Sequence, residues 1–256
     1  TSIKFGLGEK VLNKTFNNEK KGLVPSTQWK KDNIGRGWVL GETLITGIGQ
    51  GYIQTTPLQL CLMTAQIANG GYKIYPRIIV DKNQETLEEI KFAMDKNYRS
   101  AKEVNDGLLE AGEQMLDFLR GKKYEILYRN SENVKLIQNV MFASTNEVRG
   151  TSYSSRIDDP KYQFAGKTGT SQVKRITKKD RELDLKTVDI PYNERDHALY
   201  VAFGPFKKPR YALSIVIEHG GSGSSTAAPI AKKLFKLIID KHKFREEIRN
   251  KETLKI

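Results

Sequence analysis

Two runs of β-branched and aromatic residues near the end of the chain, residues 198–203 (ALYVAF) and 211–218 (YALSIVIE), constrain its fold more than any other feature. Residues of these types favour extended strands. The short connection between the runs contains Gly204-Pro205 and Lys208-Pro209, which are typical of a tight turn. We therefore expect two antiparallel strands that are neighbours in one sheet. Both runs have a low polar content, so both faces of this sheet are expected to be covered.

A helix is predicted to follow these strands. Ser225 or Thr226 is placed to cap its start, and Pro229 falls in its first turn, where a missing N–H does no harm. The apolar positions that recur at helical spacing are Ala227, Ile230, Ala231, Leu234 and Ile238. From residue 241 to 256 the sequence becomes a charged tail.

The rest of the chain has a less regular pattern. Residues 1–50 are rich in Gly and Lys and are predicted to form loops, and residues 174–196 are predicted to form an exposed charged loop. Thr56-Pro57 predicts the start of a helix, which Asn69-Gly70-Gly71 ends. Two further helices are predicted between residues 100 and 148, with apolar positions at Leu108, Leu109, Met115, Leu116 and Leu119 and at Val134, Ile137, Val140 and Met141.

The chain has 43 Lys and Arg residues against 30 Asp and Glu, a formal net charge of +13. A charge of this size favours polyanions such as nucleic acid, anionic lipid head groups or an acidic wall polymer. The basic residues are spread along the chain, however, and form no stripe interleaved with aromatic residues. We therefore interpret the charge as a solvated basic surface and expect no nucleic-acid partner.

Cysteine and histidine usage indicates no metal centre. Cys61 is the only cysteine, and His197, His219 and His242 have no metal-binding spacing. We expect no metal and no other cofactor, and we interpret Cys61 as a small buried residue of a helix. No apolar run approaches the roughly 20 residues that span a bilayer.

The residues with the clearest chemical meaning are Lys167-Thr168-Gly169, a Lys-Thr-Gly triplet within residues 164–173 (FAGKTGTSQV). Such triplets border acyl-transfer sites on a strand. The lysine supplies a positive field, the hydroxyls bind a substrate carboxylate, and the glycine leaves room for the acyl group. An N–H that follows the glycine can donate to an oxyanion. A match of only three residues often arises by chance. This triplet, however, is followed by a charged loop and then by two predicted strands, which is the order expected if the triplet lies on a strand of the same antiparallel sheet.

Several other motifs occur in a fixed order around the triplet: residues 38–43 (WVLGET), 47–52 (GIGQGY), 56–60 (TPLQL), 68–71 (ANGG), 150–151 (GT), 218–221 (EHGG) and 227–230 (AAPI). In this order the chain resembles the C-terminal part of the transpeptidase domain of class B penicillin-binding proteins, and GIGQGY favours the elongation type over the division type. The resemblance covers nearly the whole chain. It is weakest between residues 83 and 139, where an insertion is expected.

The resemblance implies an α/β (α+β) fold of the penicillin-binding transpeptidase and serine β-lactamase type, partial in this chain, with an antiparallel sheet flanked by helices. It also implies a peptidoglycan D,D-transpeptidase. In that family a serine of a Ser-x-x-Lys motif attacks the D-Ala-D-Ala bond of a stem peptide, an amine acceptor resolves the acyl-enzyme, and β-lactams acylate the same serine. Carried over, Lys167, Thr168, Gly169 and Thr170 form the catalytic set. Lys167, Thr168 and Thr170 bind substrate, and the Thr170 N–H donates to the oxyanion.

The sequence departs from the family pattern in one respect. The Ser-x-x-Lys and Ser-x-Asn motifs are expected before residue 1, so this chain is expected to lack the nucleophile and to be inactive alone. Ser171 and Ser144 begin look-alike matches, but Ser171 follows the triplet on a strand end and Ser144 lies at a helix end, so we assign neither a catalytic role. Residues 221–225 (GSGSS) form a glycine-serine loop and no nucleophile elbow.

The resemblance further implies partners and a location. Stem peptides, β-lactams and a membrane-anchored elongation machinery are the expected partners. The expected location is the periplasmic side of the inner membrane, with an anchor helix outside this chain. Residues 1–240 are assigned to the transpeptidase domain and residues 241–256 to the tail. The alternative is a non-catalytic module of the same fold that binds stem peptide or a morphogenetic partner.

A final expectation concerns stability. The family's sheet takes further strands from before the serine, so the terminal strand pair is expected to have an open edge and an uncovered apolar face. The chain alone is therefore predicted to be marginally stable or prone to aggregation.

Overall fold

The computed structural model describes residues 2–12, 16, 18–76, 125–173 and 189–253, with side chains up to residue 241. Its helices are α1 (Thr27–Ile34), α2 (Leu40–Gly47), α3 (Pro57–Ala68), α4 (Ser131–Asn146) and α5 (Ala228–Thr253). Its strands are β1 (Ala165–Ser171), β2 (His197–Gly204) and β3 (Tyr211–Ile217). This mixture confirms the predicted α+β class.

The three strands form one antiparallel sheet in the order β1-β2-β3. The register pairs Thr168 of β1 with Tyr200 of β2, and Tyr200 with Ile215 of β3. Both strands predicted near the end of the chain are confirmed. The Lys-Thr-Gly triplet lies on β1, which pairs with β2 alone among the described strands.

Helices cover both faces of the sheet, so the expectation that the terminal strand pair has an uncovered apolar face is wrong. On one face, Phe164 stacks on Phe235 of α5 with ring centroids 4.8 Å apart, and Tyr200 belongs to the same buried cluster. On the other face, Phe203 of β2 and Met141 of α4 form a second buried cluster, against which residues of α3 pack. The side chains of β2 alternate between the two clusters, as the two-residue period of a strand requires.

Side-chain caps hold the starts of α3 and α4. Thr56 Oγ1 accepts the Gln59 N–H at 3.2 Å while Gln59 Oε1 accepts the Thr56 N–H at 3.0 Å, which forms a reciprocal cap at the start of α3. Gly70 follows α3 with φ +95°, a conformation that favours glycine. Asn130 caps α4 by accepting the Glu132 N–H at 2.9 Å. These contacts confirm both predicted helices.

The prediction that residues 1–50 form loops is wrong, because they contain α1 and α2. Ser26 caps α1 by accepting the Trp29 N–H at 3.0 Å, and Gly35, with φ +72°, follows its end. The two helices are joined by an ion pair between Lys30 Nζ and Glu42 Oε1 at 2.5 Å. Each helix has only eight residues, so neither is stable without tertiary contacts such as the ion pair that joins them.

The predicted start of the last helix also needs correction, since neither Ser225 nor Thr226 caps it. A turn of π-helix, Gly223–Ala227, runs directly into α5, and the Thr226 hydroxyl donates to the Gly220 carbonyl at 2.8 Å. Pro229 does lie in the first turn of α5. The helix continues to Thr253, so the boundary predicted at residue 240 falls inside it, and the division into domain and tail stays a prediction.

Two predictions fall outside the described residues. They are the helix expected over residues 108–119 and the loop expected over residues 174–188. Within the ranges that the structure covers, no helix is both long and apolar enough to cross a membrane.

Candidate active site

The Lys-Thr-Gly triplet occupies the middle of β1, and its lysine is exposed. Lys167 Nζ donates to the Thr168 carbonyl oxygen at 2.9 Å and lies 3.5 Å from Thr168 Oγ1. The positive charge and the Thr168 hydroxyl therefore lie side by side on the strand edge that faces away from β2. A carboxylate placed at this edge could contact both groups.

Side chains bind the carbonyl oxygens along the outer edge of β1. The carbonyl oxygen of Phe164, just before β1, accepts from Asn146 at 2.9 Å, and that of Gly166 accepts from Thr145 at 3.5 Å. Farther along the strand, the Thr168 carbonyl accepts from Lys167 at 2.9 Å and the Thr170 carbonyl accepts from Gln50 at 3.3 Å. Gln50 belongs to the GIGQGY motif and lies 120 residues before Thr170. The motif that carried part of the family resemblance is therefore in contact with the triplet strand.

This pattern sets the direction of the Thr170 N–H. In an antiparallel pair, the N–H and C=O of one residue point to the same side of the strand. Because the Thr170 carbonyl points to Gln50, the Thr170 N–H also points away from β2. It therefore points to the same side of β1 as the Thr170 carbonyl, where it could donate to an oxyanion.

An exposed row of hydroxyls leads from α4 to the triplet. Ser144 Oγ lies 3.2 Å from Thr151 Oγ1, which lies 3.2 Å from Thr168 Oγ1. Thr151 belongs to the Gly-Thr motif that precedes the triplet in sequence. The structure therefore places Ser144 beside the site as a neighbour of Thr151, and it confirms that Ser144 lies in the last turn of a helix.

A second, buried group of hydroxyls lies beneath the strand. The Tyr200 hydroxyl lies 2.9 Å from Thr145 Oγ1 and 3.1 Å from Ser152 Oγ. Tyr200 reaches them by crossing Gly166, where a Cβ would be 2.3 Å from the tyrosine oxygen. Burial raises the pKa of the Tyr200 phenol, although its hydrogen bonds with Ser152 and Thr145 act in the opposite direction. The group is therefore a neutral hydroxyl network that supports β1 from below.

The glycine-serine loop also packs against the triplet strand. A Cβ on Gly223 would lie 2.4 Å from the Leu199 carbonyl oxygen and 2.7 Å from the Gly169 carbonyl oxygen. Only a glycine allows the loop to approach the backbone of β1 and β2 this closely. The sequence indicated that this loop is no nucleophile elbow, but it contained no signal for this contact.

The Glu-His-Gly-Gly motif holds the far end of β1. The His219 N–H donates to His197 Nδ1 at 3.0 Å, the Gly221 N–H donates to the Asp196 carbonyl at 2.8 Å, and the Val173 N–H donates to Asp196 Oδ1 at 3.1 Å. In the described part of the chain, no group of three or more His, Cys, Asp or Glu residues could hold a metal ion.

Cys61 lies on α3, partly buried, and its thiol donates to the Ala212 carbonyl at 3.5 Å. Burial raises the pKa of this thiol, so its reactive thiolate form is disfavoured. Ser171 is the last residue of β1 and is exposed, in agreement with its predicted position on a strand end.

Sequence reasoning identified the triplet and Thr170 but missed several residues around them. Gln50 and Thr151 were noticed only as parts of motifs, and Thr145, Ser152 and Tyr200 were not singled out. One signal was available: Thr145 follows Met141 by four residues, which places a hydroxyl on the buried face of α4. A polar residue on such a face usually has a buried partner.

Comparison with known proteins identifies the family of the chain. The penicillin binding protein transpeptidase domain family matches residues 2–236. The peptidoglycan D,D-transpeptidase MrdA of Salmonella typhimurium is 31% identical over 92% of this chain and 33% of its own length. The MrdA of Acinetobacter baumannii is 30% identical over 90% of this chain and 29% of its own length. The chain thus spans about a third of the curated relatives that it matches.

Solved structures give the same result. The crystal structure of Pseudomonas aeruginosa PBP2 in complex with WCK 5153 aligns with a TM-score of 0.61 and 29% identity, over 92% of this chain and 42% of that one. PBP2 in the complex of PBP2 and MreC from Helicobacter pylori aligns with a TM-score of 0.67 and 27% identity. The alignment covers 93% of this chain and 34% of that one. With its triplet strand, its matching motifs and these relatives, the chain belongs to the penicillin-binding protein transpeptidase domain family.

Proposed function

We propose that this chain is a substrate-binding part of the transpeptidase domain of a peptidoglycan D,D-transpeptidase of the elongation type. The observation that carries the proposal is the geometry of β1. An exposed lysine, a threonine hydroxyl and an outward-directed N–H lie within four consecutive residues, Lys167 to Thr170. The names of the MrdA relatives give the reaction class.

The reaction has two steps. A serine, supplied by a part of the protein outside this chain, attacks the carbonyl carbon of a D-Ala-D-Ala peptide bond, and the terminal D-Ala leaves as a free amine that takes up a proton. An amine of a neighbouring stem peptide then attacks the serine ester, forms a new amide and restores the serine hydroxyl. The same serine opens the ring of a β-lactam and stays acylated.

Each residue of the triplet region has a role in these steps. Lys167 supplies the positive field, and the Thr168 and Thr170 hydroxyls bind the substrate carboxylate. Gly169 leaves space for the acyl group, and the Thr170 N–H donates to the oxyanion. Gln50 supports the Thr170 carbonyl and thereby the direction of this N–H.

The location and the partners follow from the same proposal. The complete protein would act on the periplasmic side of the inner membrane, as part of a membrane-anchored elongation machinery. The PBP2 of Helicobacter pylori, which forms a complex with MreC, supports a morphogenetic partner of this kind.

Labelling with a fluorescent penicillin tests the proposal. We expect the protein extended upstream of Thr1 to be labelled covalently and this chain alone to remain unlabelled. No labelling of either protein would favour a non-catalytic module of the same fold. Labelling of the short chain would place the nucleophile within it and would reopen the assignment of Ser144 and Ser171.

A substitution in the extended protein tests the role of the lysine. Lys167→Ala should lower the rate of labelling by about tenfold to a hundredfold, because a hydrogen bond to a charged group contributes about 1.5–3 kcal/mol. Lys207→Ala is a matched control, since Lys207 is also exposed but lies in the turn between β2 and β3. Equal labelling rates for the two variants would contradict the role given to Lys167.

A further inference from the structure

The Thr151 side chain is the link between the end of α4 and the triplet. Its hydroxyl lies 3.2 Å from both Ser144 Oγ and Thr168 Oγ1. Thr168 is the residue whose hydroxyl is proposed to bind the substrate carboxylate. Thr151 is therefore one hydrogen bond away from a group that touches the ligand, although it is not part of the triplet.

Backbone contacts on both sides of Thr151 hold it in this position. A Cβ on Gly150 would lie 2.3 Å from the Ser144 carbonyl oxygen, so glycine is required where the chain folds back on α4. The same carbonyl accepts the Ser152 N–H at 3.0 Å and the Ser152 hydroxyl at 3.0 Å. These contacts fix the residues on both sides of Thr151 and leave its side chain directed at Thr168.

One arrangement of donors and acceptors along the row leaves the Thr168 proton free for a ligand. Each hydroxyl has one proton to donate, and it can accept at its oxygen. The Lys167 ammonium can only donate, and its Nζ lies 3.5 Å from Thr168 Oγ1. If Thr151 also donates to Thr168 Oγ1, both contacts occupy the oxygen of Thr168, and its proton is free to point at a carboxylate. Ser144 then donates to Thr151.

We propose that Thr151 is a positioning residue for carboxylate recognition: it donates to Thr168 Oγ1 and so directs the Thr168 proton toward the ligand carboxylate. This inference rests on the proposed transpeptidase function. It gives a role to the Gly-Thr motif at residues 150–151, for which the sequence alone indicated none.

The surroundings of Thr151 separate this role from a purely structural one. Thr151 is exposed, whereas the hydroxyls that support β1 from below, those of Thr145, Ser152 and Tyr200, are buried. Loss of an exposed hydroxyl has little effect on the folded state. A variant at Thr151 should therefore change ligand recognition more than it changes stability.

The test measures second-order acylation rate constants of the extended protein with benzylpenicillin and with its methyl ester. Thr151→Val, which keeps the shape, should lower the rate with the free acid by about tenfold, the upper range for one neutral hydrogen bond. Its preference for the free acid over the ester should fall by a similar factor. Thr151→Ser, which keeps the hydroxyl, should restore the rate to within about twofold.

A double-mutant cycle adds a sharper criterion. Because Thr151 acts through Thr168, Thr151→Val should have almost no further effect in a Thr168→Val background. Ser154→Ala is the matched control, because it removes another exposed hydroxyl from the segment between α4 and β1. It should leave the acylation rate unchanged. Thermal unfolding checks that all variants fold, and Thr151→Ala replaces Thr151→Val if the valine does not.

The outcomes separate the two levels of the proposal. If the unmutated extended protein is not acylated at all, the proposed function fails, and this inference fails with it. If the protein is acylated but Thr151→Val matches it, or the serine variant is no better than the valine, or the effects at residues 151 and 168 are additive, then only the role of Thr151 is overturned.

Discussion

At the residue scale, the triplet depends on glycines that allow close backbone contact. Gly166 lets the Tyr200 ring pass beneath β1, and Gly223 brings the glycine-serine loop against Gly169. Neither residue needs a left-handed conformation, because neither has a positive φ. Glycine is required at both positions only because a Cβ would collide with neighbouring atoms. These atoms belong to the adjacent strands and not to the local turn.

Replacement of Gly223 by Ala is therefore expected to destabilise the protein. Its Cβ would lie 2.4 Å and 2.7 Å from two carbonyl oxygens of the backbone, which cannot rotate away as a side chain can. Overpacking of this kind costs about 1–3 kcal/mol. Urea unfolding of the variant should show a lower midpoint, with a lower rate of penicillin labelling in the extended protein because β1 must shift.

Gly41→Ala is the matched control for this substitution. Gly41 lies within α2, and a Cβ there meets no atom within 4 Å. Alanine in a helix is favoured over glycine by about 0.5–1 kcal/mol, so this variant should be slightly stabilised. A Gly223→Ala protein as stable as the parent would show that the loop adjusts freely and does not support the triplet.

At the element scale, the α1–α2 pair shows how two short helices are held without a core of their own. The Lys30 side chain is buried, and its Nζ contacts Glu42 Oε1 at 2.5 Å and donates to the Gly37 carbonyl at 2.7 Å. Glu42 Oε2 also accepts the Val39 N–H at 2.9 Å, at the start of α2. One carboxylate thus caps α2 and neutralises a buried cation from α1.

This arrangement predicts an acid sensitivity. The hydrogen bond from Lys30, followed by that from the Val39 N–H, lowers the pKa of Glu42 below its ordinary value. A carboxyl group whose pKa is lower in the folded state stabilises the fold above its unfolded pKa of about 4.3, and this contribution is lost as the pH falls through the folded value. The free energy of unfolding should therefore fall on acidification below about pH 4.5.

Glu42→Gln isolates that contribution. The variant should be less stable at neutral pH, since it leaves the Lys30 ammonium with a neutral partner, and it should lose less stability between about pH 5 and pH 3 than the parent does. Glu132→Gln is the control, because the pair of Glu132 with Lys135 is well exposed and contributes little. Identical pH profiles for the parent and Glu42→Gln would contradict the prediction.

At the scale of the whole molecule, part of the fold presents surfaces that a stable domain normally covers. Among the described strands, β3 pairs with β2 alone, so its other edge has no described strand beside it. On α2, Leu40 is 77% exposed, Leu44 is 66% exposed and Ile48, just after the helix, is 77% exposed. These residues recur at intervals of four and form one apolar stripe, which ends two residues before Gln50.

We expect this chain, when expressed alone, to self-associate, as apolar stripes and open strand edges do. Size-exclusion chromatography with light scattering should show oligomers or loss of material, while the protein extended upstream should elute as a defined species. The double variant Leu40→Glu, Leu44→Lys breaks the stripe with a favourable pair at helical spacing and should reduce self-association of the short chain. A monomeric and stable wild-type chain would refute the prediction.

The sequence by itself determined those features whose cause lies within a few residues. The β-branched runs specify β2 and β3, the Thr56 and Gln59 pair specifies the start of α3, and the order of the motifs identifies the family. The Lys-Thr-Gly triplet could be proposed as part of the active site because its lysine, threonine and glycine are consecutive. Such signals act through local backbone preference, so they can be read from sequence alone.

Only the tertiary structure decided what surrounds the triplet. Gln50 reaches Thr170 across 120 residues, Tyr200 reaches Thr145 across 55, and Thr151 reaches Thr168 across 17. The same holds for the link between α1 and α2, in which the side chains of Lys30 and Glu42 join two helices of eight residues each. These contacts depend on how the helices and loops pack around the sheet, and side chains that meet through packing have no fixed spacing along the chain.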